Sequence, residues 1–372
     1  MMKYRSCSLL MNSLILCVVL LFTITTTHAF NCTSPSSSPT AKCNSLIDYI
    51  PPNTTTLSHI KTLFGVPNLH TLLGANSMPV STPPTQSVPA NRSIKIPFEC
   101  LCANGTGVSN RRPIYRVKAG DGLDHIARDV FGALVTYQQI QAVNGIANAS
   151  LIMVGQELWI PLPCSCDKVD GSQVVHYGHV VAPKSTLQQI ADAYGSRVET
   201  LLRLNGLADP RDLLAGAVLD VPLRACASSI SNQSRDSPLR LSNGTYAFTA
   251  HNCVQCKCDA SNNYILQCDP SPPKTKLSDW SKCPSMICEG LGNSSIGDSM
   301  SSGNCQNTTC SYAGYNHTSI LTTLTNISTC NPEGAPQSPP RSHAMTIGLS
   351  GNYFGRASLF VSLALLSLSH LL

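Results

Sequence analysis

Only 12% of the 372 residues are charged, and a net charge of +5 spread thinly along the chain leaves no basic stripe of the kind that nucleic-acid binding requires. The surface must therefore be built largely from hydroxyls, amides and sugars, which suits a neutral ligand better than a highly charged one. Eighteen cysteines point to an oxidising compartment.

Lys3 and Arg5 precede an apolar run from Leu14 to Phe22 and a small-residue exit at Thr27-His28-Ala29, so residues 1–29 read as a secretory signal peptide. Cys7 and Cys17 leave with it, and 16 cysteines remain between Cys32 and Cys330. An even number in a secreted chain argues for disulfides rather than metal ligands or nucleophiles. Glycosylation sequons agree with that location: Asn31, Asn53, Asn91, Asn104, Asn148, Asn232, Asn243, Asn293, Asn307, Asn316 and Asn326 each begin an Asn-x-Ser/Thr triplet.

Three successive stretches share one skeleton. The first, within residues 30–102, has Leu57, Ile60, Phe64, Gly65, Leu72, Asn76 and Ile96-Pro97. The second, 113–166, has Leu123, Ile126, Phe131, Gly132, Ile140, Asn144 and Ile160-Pro161; the third, 175–226, has Leu187, Ile190, Tyr194, Gly195, Leu201, Asn205 and Val221-Pro222. The apolar period runs from alternation (Tyr115, Val117) to three-and-four spacing (Leu123, Ile126, Ala127) and back to alternation (Leu158, Ile160), which predicts strand, helix, helix, strand. Gly120-Asp121-Gly122 supplies the turn into the first helix of the second copy, and Thr136 can cap the next. Units of about 50 residues are marginal by burial alone, so stapling is expected. Cys100-Leu-Cys102 and Cys164-Ser-Cys166 stand at the repeat boundaries, and residues two apart on a strand face the same way, so each pair can reach two different partners.

Beyond Cys226, residues 227–330 carry cysteines among Asn, Ser, Gly and Thr with little apolar periodicity and read as an irregular, disulfide-stapled spacer. Cys253-x-x-Cys256-x-Cys258 invites a zinc reading, but without paired histidines in an oxidising compartment disulfides are expected, with no metal and no cofactor. A Pro-rich linker, 331–342, follows. Residues 343–372 form a polar spacer and the apolar stretch ASLFVSLALLSLSHLL, the pattern exchanged for a glycolipid anchor, with Ser342 as attachment residue and Gly348 or Ser350 as alternatives. A membrane span is the competing reading, but the stretch is shorter than the roughly 20 residues a spanning helix needs.

The three repeats resemble LysM domains, and Cys32, Cys43 and two Cys-x-Cys spacers between three such domains resemble the plant extracellular LysM receptors. LWIPLPCSCD (158–167), LDVPL (219–223) and GTYAFTAHNCVQCKC (244–258), with the terminal tail, are similar to the glycolipid-anchored, chitin-elicitor-binding branch of that family. The resemblance implies an α+β chain of three tandem βααβ modules stapled by Cys32–Cys102, Cys43–Cys166 and Cys100–Cys164. The residues alone leave open all 15 pairings that six cysteines allow.

The resemblance places N-acetylglucosamine oligomers in a shallow groove between the loop after a module's first strand and the loop before its last. In the second module those loops hold Lys118, Gly120, Asp121 and Gly122, and Ala149, Ser150, Leu151 and Ile152. Glycines let backbone groups approach an N-acetyl group closely, and Leu151 and Ile152 can lie under sugar faces, Ile152 being the strongest single choice. Two alternatives stand beside this: one of Leu151 and Ile152 fills the core, and Gly120 and Gly122 serve only the turn. Asn148 opens a sequon inside the groove, where a glycan would crowd the ligand. The first module has no glycine-rich first loop and a long connector at 78–91; the third has Ala182-Pro-Lys-Ser-Thr186 and a longer Ala208-Asp-Pro-Arg-Asp212 loop, so both rank below the second.

No nucleophile–base or carboxylate pair marks an enzyme. The implied function is a co-receptor on the outer leaflet of the plasma membrane, enriched at plasmodesmata, that binds chitin oligosaccharides, self-associates and signals through a LysM receptor-like kinase in plant immunity. The rivals are a peptidoglycan-binding co-receptor and a LysM-targeted cell-wall hydrolase.

Overall fold

The computed structural model describes residues 30–33, 40–272, 279–302 and 306–328. The expected signal peptide, Pro-rich linker, C-terminal tail with Ser342, Gly348 and Ser350, and Cys305 and Cys330 lie outside the described residues.

Each repeat folds as strand, helix, helix, strand. The first runs through Thr40–Tyr49, Leu57–Leu63, Leu69–Ala75 and Ile94–Ala103. In the second the elements are Ile114–Arg116, a helix starting at Leu123–His125 and widening through Ile126–Val130, Tyr137–Val143 and Glu157–Trp159. The third has Val174–Val180, Leu187–Tyr194, Val198–Leu204 and Val218–Arg224. Helix starts follow from local chemistry: Thr136 and Thr186 cap their helices and are answered by Gln139 and Gln189 in reciprocal capping boxes. The repeated asparagine has one job in all three copies. Nδ2 of Asn76, Asn144 and Asn205 donates to a carbonyl in its own helix (Leu72, Ile140, Leu201) and to one in the last strand (Lys95, Trp159, Asp220), while Oδ1 accepts that strand residue's N–H. A side chain with donor and acceptor side by side is what this tie requires.

The modules do not fold as beads on a string. Strands of the first and third join one six-stranded sheet in the order Phe30–Asn31, Thr106–Ser109, Ile94–Ala103, Thr40–Tyr49, Val174–Val180, Val218–Arg224, antiparallel except for Thr40–Tyr49 beside Val174–Val180. The first and second modules share one core, in which Tyr49, Phe64, Phe131 and Tyr115 form an edge-to-face series at 4.8, 5.5 and 5.8 Å. Such pairs contribute about 0.5–1.5 kcal/mol each beyond area burial. Sharing a core in this way compensates for modules that are small individually.

Bridges join Cys32 to Cys102, Cys43 to Cys166 and Cys100 to Cys164, and five of these six cysteines are buried at the junction of the first two modules. The stretch Cys253–Cys258 holds no metal ligand set: Cys253 pairs with Cys283, Cys256 with Cys268 and Cys258 with Cys226. The region expected to be irregular is corrected by the structure. It contains two three-stranded antiparallel sheets, Tyr246–Thr249, Val254–Lys257, Gln267–Pro270 and Ser299–Ser302, Gln306–Tyr315, Ile320–Ser328. Nor does it stand apart as a spacer: Tyr246 Oη donates to Met78 O at 2.7 Å, and His70 and Phe248 meet at 5.1 Å, docking it on the first module. No helix among the described residues is long and apolar enough to cross a membrane.

A buried ion pair lies inside the large sheet, where His176 Nδ1 is 2.9 Å from Asp220 and Nε2 is 2.8 Å from Asp167 O. Burial alone would lower the His176 pKa, but the Asp220 charge and hydrogen bond and the Asp167 carbonyl outweigh it and raise it above 6.5. The folded state therefore holds the proton more tightly than the unfolded chain. The stability this adds is full below about pH 6.5 and is lost as pH rises through the raised folded value. Melting temperature is expected to fall as pH rises from about 6 to about 8, less steeply in a His176→Asn variant; identical slopes would show that His176 does not change protonation across this range.

Candidate functional site

The two loops of the second module emerge together because their bases are tied: Val117 N–H donates to Gln156 O at 2.9 Å and Gly155 N–H to Val117 O at 2.8 Å. On the first loop, Asp121 is turned inward. Its Oδ2 accepts from Tyr115 Oη at 2.8 Å and from the Lys118 amide at 2.7 Å, and its side chain is almost fully covered. Burial, then the Asp121 carboxylate, push the Tyr115 hydroxyl well above its ordinary range, so it remains a donor. Asp121 thus braces the loop, while Lys118 is exposed with its ammonium 5.8 Å from the Tyr115 ring.

Gly120 takes φ +87°, a conformation that favours glycine, although the equivalent turn of the third module holds Lys184 at φ +68°, so glycine eases this turn without being required by it. Gly122 is different. Its backbone is ordinary extended, and a Cβ would meet nothing within 4 Å. The equivalent residues of the other modules, Thr56 and Thr186, cap their helices through the side chain, whereas Gly122 makes no such bond. Neither backbone conformation nor packing calls for glycine at 122, and its effect is to leave the first loop's backbone bare toward open space.

On the second loop the structure separates the two sequence candidates. Ile152 is half-buried against the core, as is Ala149, while Leu151 stands 72% exposed. The strongest sequence choice is therefore the core residue of the pair. Two residues the sequence reading missed complete the ledge: Met153 and Val154 are 72% and 69% exposed. Their signal was present, since Leu151–Val154 is four apolar residues in a row within a loop where only one is needed for the core. Ser150 is exposed, and its amide donates to Asn148 Oδ1 at 3.0 Å. Asn148 is exposed at the rim.

The same positions differ in the neighbouring modules. In the first, the two loops are zipped together by Thr55–Thr56 pairing with Ser87–Val88, with Ser58 N–H donating to Pro84 O at 2.8 Å, so the groove position is closed by the module's own connector. In the third, Gly216 N–H and Val181 N–H form the same basal ties, Leu213 is half-buried and Leu214 is 65% exposed, but Lys184 and Thr186 stand where the second module has glycines.

Charges near the second groove are largely paired off: Arg128 meets Asp124 at 2.5 Å and His125 meets Asp129 at 2.8 Å along the exposed helix face. What remains is an exposed apolar run beside a glycine-bearing loop tied to it at the base, surfaces whose chemistry suits a neutral ligand with apolar faces and amide groups. A catalytic reading fares poorly at the most suggestive cluster. Ser93 and His179 both bond to Asp48, with His179 Nδ1 at 2.9 Å, so the carboxylate stands between hydroxyl and imidazole. A hydrolytic triad needs the imidazole in the middle, and Asp48 is sealed in the core beneath Tyr177.

The family model for the LysM domain matches residues 115–161 and 179–222. LysM domain-containing GPI-anchored protein 2 of Arabidopsis thaliana is 44% identical over 329 residues, covering 88% of this chain and 89% of the relative. The chitin elicitor-binding protein of Oryza sativa subsp. japonica is 45% identical over 289 residues, covering 77% and 78%. LysM domain-containing GPI-anchored protein 1 of Arabidopsis thaliana is 36% identical over 325 residues, covering 85% and 74%.

Proposed function

This chain belongs to the plant family of LysM domain-containing GPI-anchored proteins, and on that premise we propose that it is a cell-surface pattern-recognition co-receptor that binds chitin oligosaccharides and signals through a LysM receptor-like kinase in innate immunity. The observation that carries the ligand class is the exposed run of Leu151, Met153 and Val154 on a loop tied at its base to the loop of Gly120 and Gly122. N-acetylglucosamine is neutral, offers apolar ring faces and acetyl methyls to such a ledge, and has an amide that a bare backbone can hydrogen-bond. The three relatives described above are named for binding and anchoring rather than for catalysis, which favours a binding protein over a hydrolase.

A glycan array probed with the purified glycosylated protein tests this reading. Chitin oligomers are expected to bind with little salt dependence. Preference for peptidoglycan fragments, weakening as salt screens their charged stems, would replace the ligand, and release of N-acetylglucosamine would replace the class.

The second part of the proposal is the anchor on the outer leaflet, attached at Ser342. A phospholipase that cleaves glycosylphosphatidylinositol is expected to release the protein from plant membranes in soluble form; retention after complete digestion would favour a spanning segment. Self-association on chitin and enrichment at plasmodesmata belong to the same proposal and are checked by crosslinking with and without oligomer and by imaging the tagged protein.

A further inference from the structure

The sequon at Asn148 lies on the same loop as Leu151, and the structure fixes how the two residues stand to each other. Leu151 N–H donates to Asn148 O at 2.9 Å, closing a turn, and the Ser150 amide donates to Asn148 Oδ1 at 3.0 Å. A turn of this kind holds its end Cα atoms less than about 7 Å apart. The loop is pinned on its inner side: Ile146, Ala149 and Ile152 pack against the core, and Gln141 Nε2 donates to Ile146 O at 2.9 Å. Asn148 and Leu151, each one residue before an anchor, are left exposed together.

Oδ1 of Asn148 is committed to the turn. Nδ2, the atom that carries an N-linked sugar, forms no hydrogen bond among the described residues. A glycan attached there is bulky and starts within one turn of the exposed run Leu151, Met153 and Val154. Its two innermost sugars are N-acetylglucosamine, neutral rings with the same apolar faces and acetyl methyls that the groove assignment gives to the ligand. Tethered so closely, they compete as an intramolecular ligand, at an effective concentration that dilute free oligomer does not match.

We propose that glycosylation of Asn148 closes the chitin groove, dividing the protein into sugar-capped chains that do not bind and bare chains that do. This gate rests on the groove assignment and adds the regulation of that site: sequon occupancy, set during secretion, fixes the fraction of competent receptor.

The test uses purified full-length wild type, Ser150→Ala and Ser150→Thr. Glycopeptide mass spectrometry reads the occupied fraction at Asn148, and calorimetry with a chitin oligomer reads the binding stoichiometry. Ser150→Ala removes the sequon yet keeps the backbone amide that bonds Oδ1, whereas Ser150→Thr keeps both the sequon and the hydroxyl. The stoichiometry of wild type and of Ser150→Thr, each divided by that of Ser150→Ala, is expected to equal the unoccupied fraction of that sample. Undiminished stoichiometry in a sample whose Asn148 is occupied, or a wild-type protein with no sugar at Asn148, would overturn the gate and leave the groove assignment standing. Failure of Ser150→Ala, which carries no sugar there, to bind the oligomer would overturn the groove assignment and the gate with it.

Discussion

Replacing Cys100 and Cys164 together by serine is expected to cut secretion of the protein severely and to lower the melting temperature of whatever is secreted. The bridge ties the last strand of the first module to the segment that follows the last strand of the second, across 64 residues of chain. Closing a loop of that length removes unfolded-state entropy worth roughly 4 kcal/mol, and loss of a native bridge from a small secreted domain typically costs about 2–5 kcal/mol. Both cysteines are buried, at 0% and 1% exposure, so the substituted hydroxyls would also be placed in a sealed cluster with two further bridges beside them. Against a total stability of about 5–15 kcal/mol for a domain, that is a large share. Secretion at the normal level with an unchanged melting temperature would show that the shared core holds the modules without the staple.

How far the sequence could be read depends on what kind of contact carried each feature. The three modules were legible because their anchors do local work: Leu123, Ile126, Phe131 and Ile140 fill one core, and Asn144 ties helix to strand within 15 residues. The parallel pairing of Leu46 and Ile47 with Tyr177 and Gly178 was not legible, because a pair 131 residues apart leaves no periodic trace in either strand. The sheets of the Cys-rich region were hidden for another reason. Strands such as Ile320–Ser328 are rich in threonine, which favours extended backbone, but their interior is closed by bridges such as Cys288–Cys310 and by Tyr312 rather than by alternating aliphatics. In the second loop, family resemblance singled out Leu151 and Ile152, but the residues could not say which of the two turned inward, since both are aliphatic and adjacent. The disulfide partners came from family resemblance; spacing alone selected none.

The second large effect concerns the ledge. A Leu151→Ser, Met153→Ser double variant removes two side chains that are 72% exposed in the free protein and support no core. Full burial of an aliphatic side chain is worth roughly 1.5–3 kcal/mol. Partial cover of two by sugar faces and acetyl methyls should contribute about 2 kcal/mol, a loss of roughly thirtyfold in affinity. Ile152→Ser is expected to behave differently, lowering stability along with binding, because that side chain also packs against the core. Leu72→Ser and Leu201→Ser, at fully buried positions, should lower folding yield.

Calorimetry of a chitin oligomer on the wild-type protein and on the Leu151→Ser, Met153→Ser variant, with circular dichroism to establish that the variant is folded, tests the groove assignment most directly. A folded variant that binds about thirtyfold more weakly is expected. A folded variant that binds as tightly as wild type would contradict it and move the site to the third module, where Leu214 is the corresponding exposed residue.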